Sequence, residues 1–124
     1  MNVIEQARQA YAPAHTATRT DRSIEAQLIS QITARLRQAQ INCETAFPAL
    51  VTALHENRRM WTAMAADVAD GANALPQELR AQIFYLAEFT DHHSQLVIRG
   101  KATAEALIDV NMAVMKGLNG QRAA

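Results

Sequence analysis

Apolar residues recur along this chain every three or four positions, the spacing of one face of an α-helix. The first run, Val3, Ile4, Ala7 and Tyr11, predicts a short helix from about Asn2 to Tyr11. A helix of that length stands only with packing partners. Residues 12–19, with Pro13 among small and polar residues, read as a loop. A second helix is expected from Thr20 or Asp21, as N-cap, to about Ala39, with Glu25 in its first turn. Its stripe is Ile24, Leu28, Ile32 and Leu36, widened by Ile29; Arg35 and Arg37 suit the negative end of its dipole. Residues 40–46 form the next joint.

A third helix begins at Phe47 and Pro48, because proline is tolerated in a first turn. Leu50, Leu54, Trp61, Met64 and Val68 share a face with one polar residue, Asn57, and the helix stops near Asp70 and Gly71. Pro76 opens a fourth, with Gln77 and Glu78 in its first turn. Leu79, Ile83, Leu86 and Val97 line one side of it, Phe84, Phe89 and Leu96 broaden the stripe, and Gly100 after Arg99 is a C-cap. A fifth runs from about Thr103 to Met115 or Lys116 and ends before Gly117, leaving residues 119–124 as a frayed tail. Its apolar side is Ala104, Leu107, Ile108, Val114, Met115 and Leu118. No run alternates with the period of a strand, and there is no internal repeat. The expected fold is all-α: a single domain over residues 1–124, a compact bundle of four to five antiparallel helices.

Composition narrows the function. The chain has 124 residues, of which 49% are apolar and 19% charged, so it reads as globular. Twelve basic residues balance twelve acidic ones. A general electrostatic grip on nucleic acid or anionic lipid is therefore not expected. The one cysteine, Cys43, forms no internal disulfide and suits a reducing cytoplasm. The start, MNVIEQARQAYA, lacks a signal core, and no apolar run is long enough for a membrane span.

Chemical machinery is not evident. His92 and His93 follow Asp91, but neighbours on a helix point about 100° apart and do not converge on one ion. Cys43 and His55 lie far apart in sequence. Glu88 and Asp91 share a face at i, i+3, a spacing more typical of solvated surface charge than of an acid pair. No P-loop, dinucleotide fingerprint or nucleophile elbow is present. We expect no enzyme, no cofactor and no metal.

Two patches stand out instead. In HENRRMW, residues 55–61, Asn57 sits on the apolar stripe one turn before the only tryptophan. Trp61 and Asn57 read as core with a satisfied polar neighbour, or else as part of a partner-binding patch with Arg58, Arg59 and Met60. Arg58 and Arg59 project to the flanks, toward Asp67, Glu78 or Glu88. In IFYLAEF, residues 83–89, apolar side chains cover nearly the whole circumference, so Tyr85 and Phe89, with Glu88 beside them, are central in the bundle or covered by a partner. Met112 and Met115 pose the same alternative.

The block FPALVTALHENRRMWTAMAADVADGANALPQELRAQIFYLAEFTDHHSQLV, residues 47–97, resembles the central signature of the FlaF family. The later NMAVMKGL and the earlier AYAPAHTATRTDRSIEAQLISQITARL extend the likeness over nearly the whole chain. It is specific by the order and length of its pieces, not by a catalytic motif. The resemblance implies a non-enzymatic part in flagellar assembly of the alphaproteobacterial type, affecting flagellin production and secretion together with a partner regulator, FlbT. Two mechanisms fit. One is a chaperone that covers flagellin's amphipathic terminal helices by helix-in-groove packing. The other is post-transcriptional regulation of flagellin, through FlbT or the flagellin message. The arginines are interleaved with acids, which favours protein contact over RNA. Oligomeric state is open.

Overall fold

The computed structural model describes the backbone of residues 17–123 and the side chains of residues 26–118. Among the described residues four helices follow in order: α1 (Ala17–Ile41), α2 (Phe47–Ala69), α3 (Gln77–Ile98) and α4 (Glu105–Ala123). No strand occurs among the described residues. The helix expected over Asn2–Tyr11 lies outside them.

Joints of only a few residues connect the helices, so successive helices run antiparallel. α1 packs on α2 and α4, and α3 packs on α2 and α4. Across one diagonal, α2 and α4 meet through side chains, Trp61 and Asn57 each bonding to Asn111, and the α3–α4 seam is the thinnest of the four. Cross-links fix the register. Arg35 Nε donates to Glu56 Oε1 at 3.3 Å, joining α1 to α2. The Ala104 N–H donates to Gln40 Oε1 at 2.7 Å, joining the start of α4 to the end of α1. Arg58 Nε donates to Asp91 Oδ1 at 3.0 Å, joining α2 to α3.

Helix ends follow local chemistry. Pro48 lies in the first turn of α2, where its missing N–H leaves no bond unmade. At the other end, the Arg80 guanidinium donates to Val68 O at 3.1 Å and Asp70 O at 3.2 Å, satisfying carbonyls that α2 leaves open. Asn73 tightens the same joint, donating to Asp67 and accepting from the Leu75 N–H. α3 ends in a Schellman motif. The Gly100 N–H donates to Val97 O and the Lys101 N–H to Leu96 O, with Gly100 at φ 74°.

Some expected boundaries are corrected. α1 starts at Ala17, so Thr20 and Asp21 lie inside it rather than capping it, and it runs on to Ile41. Arg35 and Arg37 therefore precede its last turn, and Arg35 serves the ion pair with Glu56 instead. α4 does not stop before Gly117; its backbone stays helical through Ala123. Gly117 packs where α4 meets α3, with Leu79 Cδ1 3.7 Å from where its Cβ would lie. A Cβ at that distance makes ordinary contact, so neither a helix end nor the packing demands a glycine there.

The core forms two apolar clusters stacked along the bundle. One gathers Ile29, Ile32, Met60, Trp61, Met64, Val68, Leu75, Ile83, Val114 and Leu118. The other gathers Leu36, Leu50, Leu54, Val97, Ala104, Leu107 and Ile108 with smaller residues. The stripes read from the sequence supply nearly all of these residues.

Candidate partner-binding surface

Polar side chains occupy the interior between the two clusters, drawn from all four helices. They are Thr33 of α1, Asn57 of α2, Thr90 and Ser94 of α3, and Asn111 of α4, each essentially sealed from solvent. Asn111 is the hub. Its Oδ1 accepts the Trp61 Nε1–H at 2.8 Å. Its Nδ2 donates to Asn57 Oδ1 at 2.9 Å and to Thr33 Oγ1 at 3.0 Å. The Thr33 hydroxyl in turn donates to Ile29 O at 2.6 Å. This chain of bonds ties α1, α2 and α4 together. It does not reach α3. The Ser94 hydroxyl donates back to Thr90 O within its own helix, and Asn57 Nδ2 and Thr90 Oγ1 have no protein partner.

This geometry decides the first patch. Asn57, Met60 and Trp61 are buried, with Trp61 at 1% exposure. The partner-binding reading of these three is corrected: on an intact bundle they offer nothing to a surface ligand. The indole needed a partner for its N–H, and the amide of Asn111 supplies it inside the core. Arg58 is half-buried and reaches Asp91, not Asp67, Glu78 or Glu88. Arg59 remains exposed beside it.

The second patch divides around α3. Ile83 is sealed in the core and Leu86 is half-buried. Tyr85 is 67% exposed and Phe84 50%. Phe84 lies one turn from Arg80 and two turns from Asp91, both engaged with α2, so it stands on the α2 shoulder of α3. Tyr85 is turned about 100° further round, out to solvent, in line with Phe89 at i+4. Phe89 is half-buried and stacks on His93, ring centroids 5.3 Å apart. His93 Nε2 lies 2.9 Å from Thr103 O; a carbonyl only accepts, so Nε2 carries the proton there. Glu88 is exposed beside them. Met112 is largely exposed on α4, and Met115 is partly buried.

Sequence reasoning missed Thr33, Thr90, Ser94 and Asn111. The signal was available: Asn111 sits at helical spacing between Ile108 and Val114, as Asn57 does between Leu54 and Trp61. A polar residue on the apolar stripe of each facing helix marks a buried layer.

Among the described residues, no three His, Cys, Asp or Glu side chains gather as a metal site requires. Cys43 is half-buried and free, its sulfur accepting from Gln40 Nε2 at 3.4 Å. No helix among the described residues is long and apolar enough to cross a membrane.

A sealed core with a polar layer, short joints and an aromatic shoulder left in solvent define a small all-α bundle, of four helices among the described residues. The chain belongs to the FlaF family: the family model for flagellar protein FlaF matches residues 7–118. It is thus a flagellar protein. No curated protein and no solved structure matches the chain.

Proposed function

We propose that this flagellar protein is a cytoplasmic, non-catalytic chaperone for flagellin, supporting its synthesis and export together with FlbT. The observation that carries the reading is the aromatic shoulder of α3. A bundle with ample core volume buries Trp61 completely, yet leaves Tyr85 and Phe84 in water and Phe89 half-covered. Large apolar side chains grouped on one helix of a small bundle are unfavourable in solvent unless something covers them. Unassembled flagellin offers amphipathic helices that need such cover.

Electrostatics agree. Arg35 and Arg58 are each committed to a carboxylate, and Arg80 to the α2–α3 joint. Arg37, Arg59, Arg99, Lys101 and Lys116 stay exposed, but twelve acidic residues balance the twelve basic ones, which weighs against direct contact with the flagellin message. Affinity therefore comes from apolar burial, and a groove of ordinary interface size yields micromolar to nanomolar binding.

The test is to mix the purified protein with flagellin monomer and follow elution by size. A stoichiometric complex is expected. Free flagellin, with FlbT retained instead, would replace the chaperone by a regulator acting through FlbT. A shifted message leader without either protein bound would replace it by an RNA-binding regulator.

A further inference from the structure

The helices bury apolar side chains unequally. α3 spans 22 residues, and its fully buried ones are Ile83, Thr90, Ser94 and Val97, two of them polar. α2 spans 23 residues and buries nine side chains, of which Asn57 and Asp67 are the polar ones. Within the described side chains α4 buries Leu107, Ile108, Val114 and Leu118, and α1 buries Ile29, Ile32, Leu36 and Ala39. α3 adds Leu79, Leu86, Ala87 and Phe89, but each of them stays partly in water. Apolar burial is the main force that holds a helix in a bundle, so α3 is the most weakly held of the four.

Polar contacts point the same way. The interior network runs from Trp61 and Asn57 of α2 through Asn111 of α4 to Thr33 of α1, and α3 has no part in it. Ser94 bonds within α3, and the Thr90 hydroxyl is sealed in the interior without a protein partner. Asn57 Nδ2 is unmatched as well, but Asn57 keeps its bond to Asn111. An unmatched polar group in a dry core weakens the docked state of the helix that carries it. α3 lies close along α2, yet the bonds to its neighbours sit at the surface or near its ends. Arg58 reaches Asp91 in solvent, Arg80 holds carbonyls at the end of α2, and His93 meets Thr103 O. Exposed ion pairs add little to docking.

We propose that α3 is a separate opening unit of this bundle: it lifts away between the joints at residues 70–76 and 99–104 while α1, α2 and α4 stay tied through Asn111. Local opening starts in the element with the least buried apolar surface and leaves the rest folded. This one breaks no bond of the Asn111 network. It carries Phe84, Tyr85 and Phe89 with it, and it uncovers the apolar cluster that Ile83 shares with Trp61. The proposal does not depend on the chaperone reading, and its test uses the protein alone.

Hydrogen exchange of the full chain, read by mass spectrometry on peptides from each helix, tests this. Amides of α3 between Ile83 and Val97 are expected to be about a hundredfold less protected than those of α2 between Ala53 and Val68. Low denaturant should speed exchange steeply in α2 and only shallowly in α3, because a local opening exposes less surface than global unfolding. Thr33→Val gives a second readout. It keeps the side-chain shape and removes a bond of Asn111 that survives when α3 is open. Protection in α2 should fall by about tenfold, and protection in α3 should not change. Equal protection of the two helices overturns the proposal, and so does a fall of the same size in both with Thr33→Val, since the bundle then opens only as a whole.

Discussion

Asn111 carries more of this structure than any other single side chain, since one amide satisfies an indole, a second amide and a hydroxyl on two other helices. Removing it strands the Trp61 N–H in a dry interior, where an unmet donor costs about 1–3 kcal/mol. Asn57 and Thr33 lose a partner at the same time. Asn111→Ala should therefore destabilise by about 3 kcal/mol or more, read from denaturant midpoints. Thr90 behaves in the opposite way. Its hydroxyl is buried without a partner, so Thr90→Val keeps the shape and discards an unmet polar group. The expected result is no loss, or a gain of up to about 1 kcal/mol. A loss of 2 kcal/mol instead would mean that the hydroxyl is bonded in solution, for example through a trapped water.

Gly100 and Gly117 separate by backbone conformation. Gly100 holds φ 74° in the Schellman turn that ends α3, a region that L side chains enter at a cost. Gly100→Ala should lower stability by about 1 kcal/mol. Gly117 lies inside α4, and a Cβ there would meet Leu79 Cδ1 at ordinary contact distance. Gly117→Ala should raise stability by about 0.5–1 kcal/mol through helix propensity alone. Thermal melts of the two variants, run side by side, should move in opposite directions. The surface pairs that stitch the helices add little. Arg35 and Glu56 are both well exposed, and such pairs are worth about 0.2–1 kcal/mol.

For the molecule as a whole, stability and binding should be carried by different aromatic residues. Trp61→Ala empties the centre of one apolar cluster and unpairs Asn111, so a loss of about 3–5 kcal/mol is expected. Tyr85→Ala removes a ring standing in solvent and should leave the melting curve within about 0.5 kcal/mol of the parent. Flagellin binding should weaken in the second variant. Equal melting losses in both would place Tyr85 in the core and contradict the exposed shoulder. The polar layer also has a consequence for alignment. A one-residue slip of any helix would carry its buried amide or hydroxyl against hydrocarbon, so the layer holds the four helices in one register.

Helical periodicity alone was enough to locate α2 and α3 to within a residue or two and to name nearly all of the buried stripe. Side chains three and four apart must share a face, and water drives apolar faces together regardless of detail. The Pro48 start and the Gly100 end were legible for the same local reason: the ring and the bare Cα restrict backbone angles wherever they occur. Gly117 was misread as a stop because the buried stripe carries α4 through it, from Val114 to Leu118, and a helix held by packing tolerates a glycine inside it. The fate of Trp61 and Tyr85 was open for a related reason. Both are aromatic, both lie in helical runs rich in apolar residues, and periodicity does not say which neighbour fills the space beside each. Only the packed bundle brings Asn111 within hydrogen-bond reach of the indole, fifty residues along the chain, and leaves Tyr85 with water.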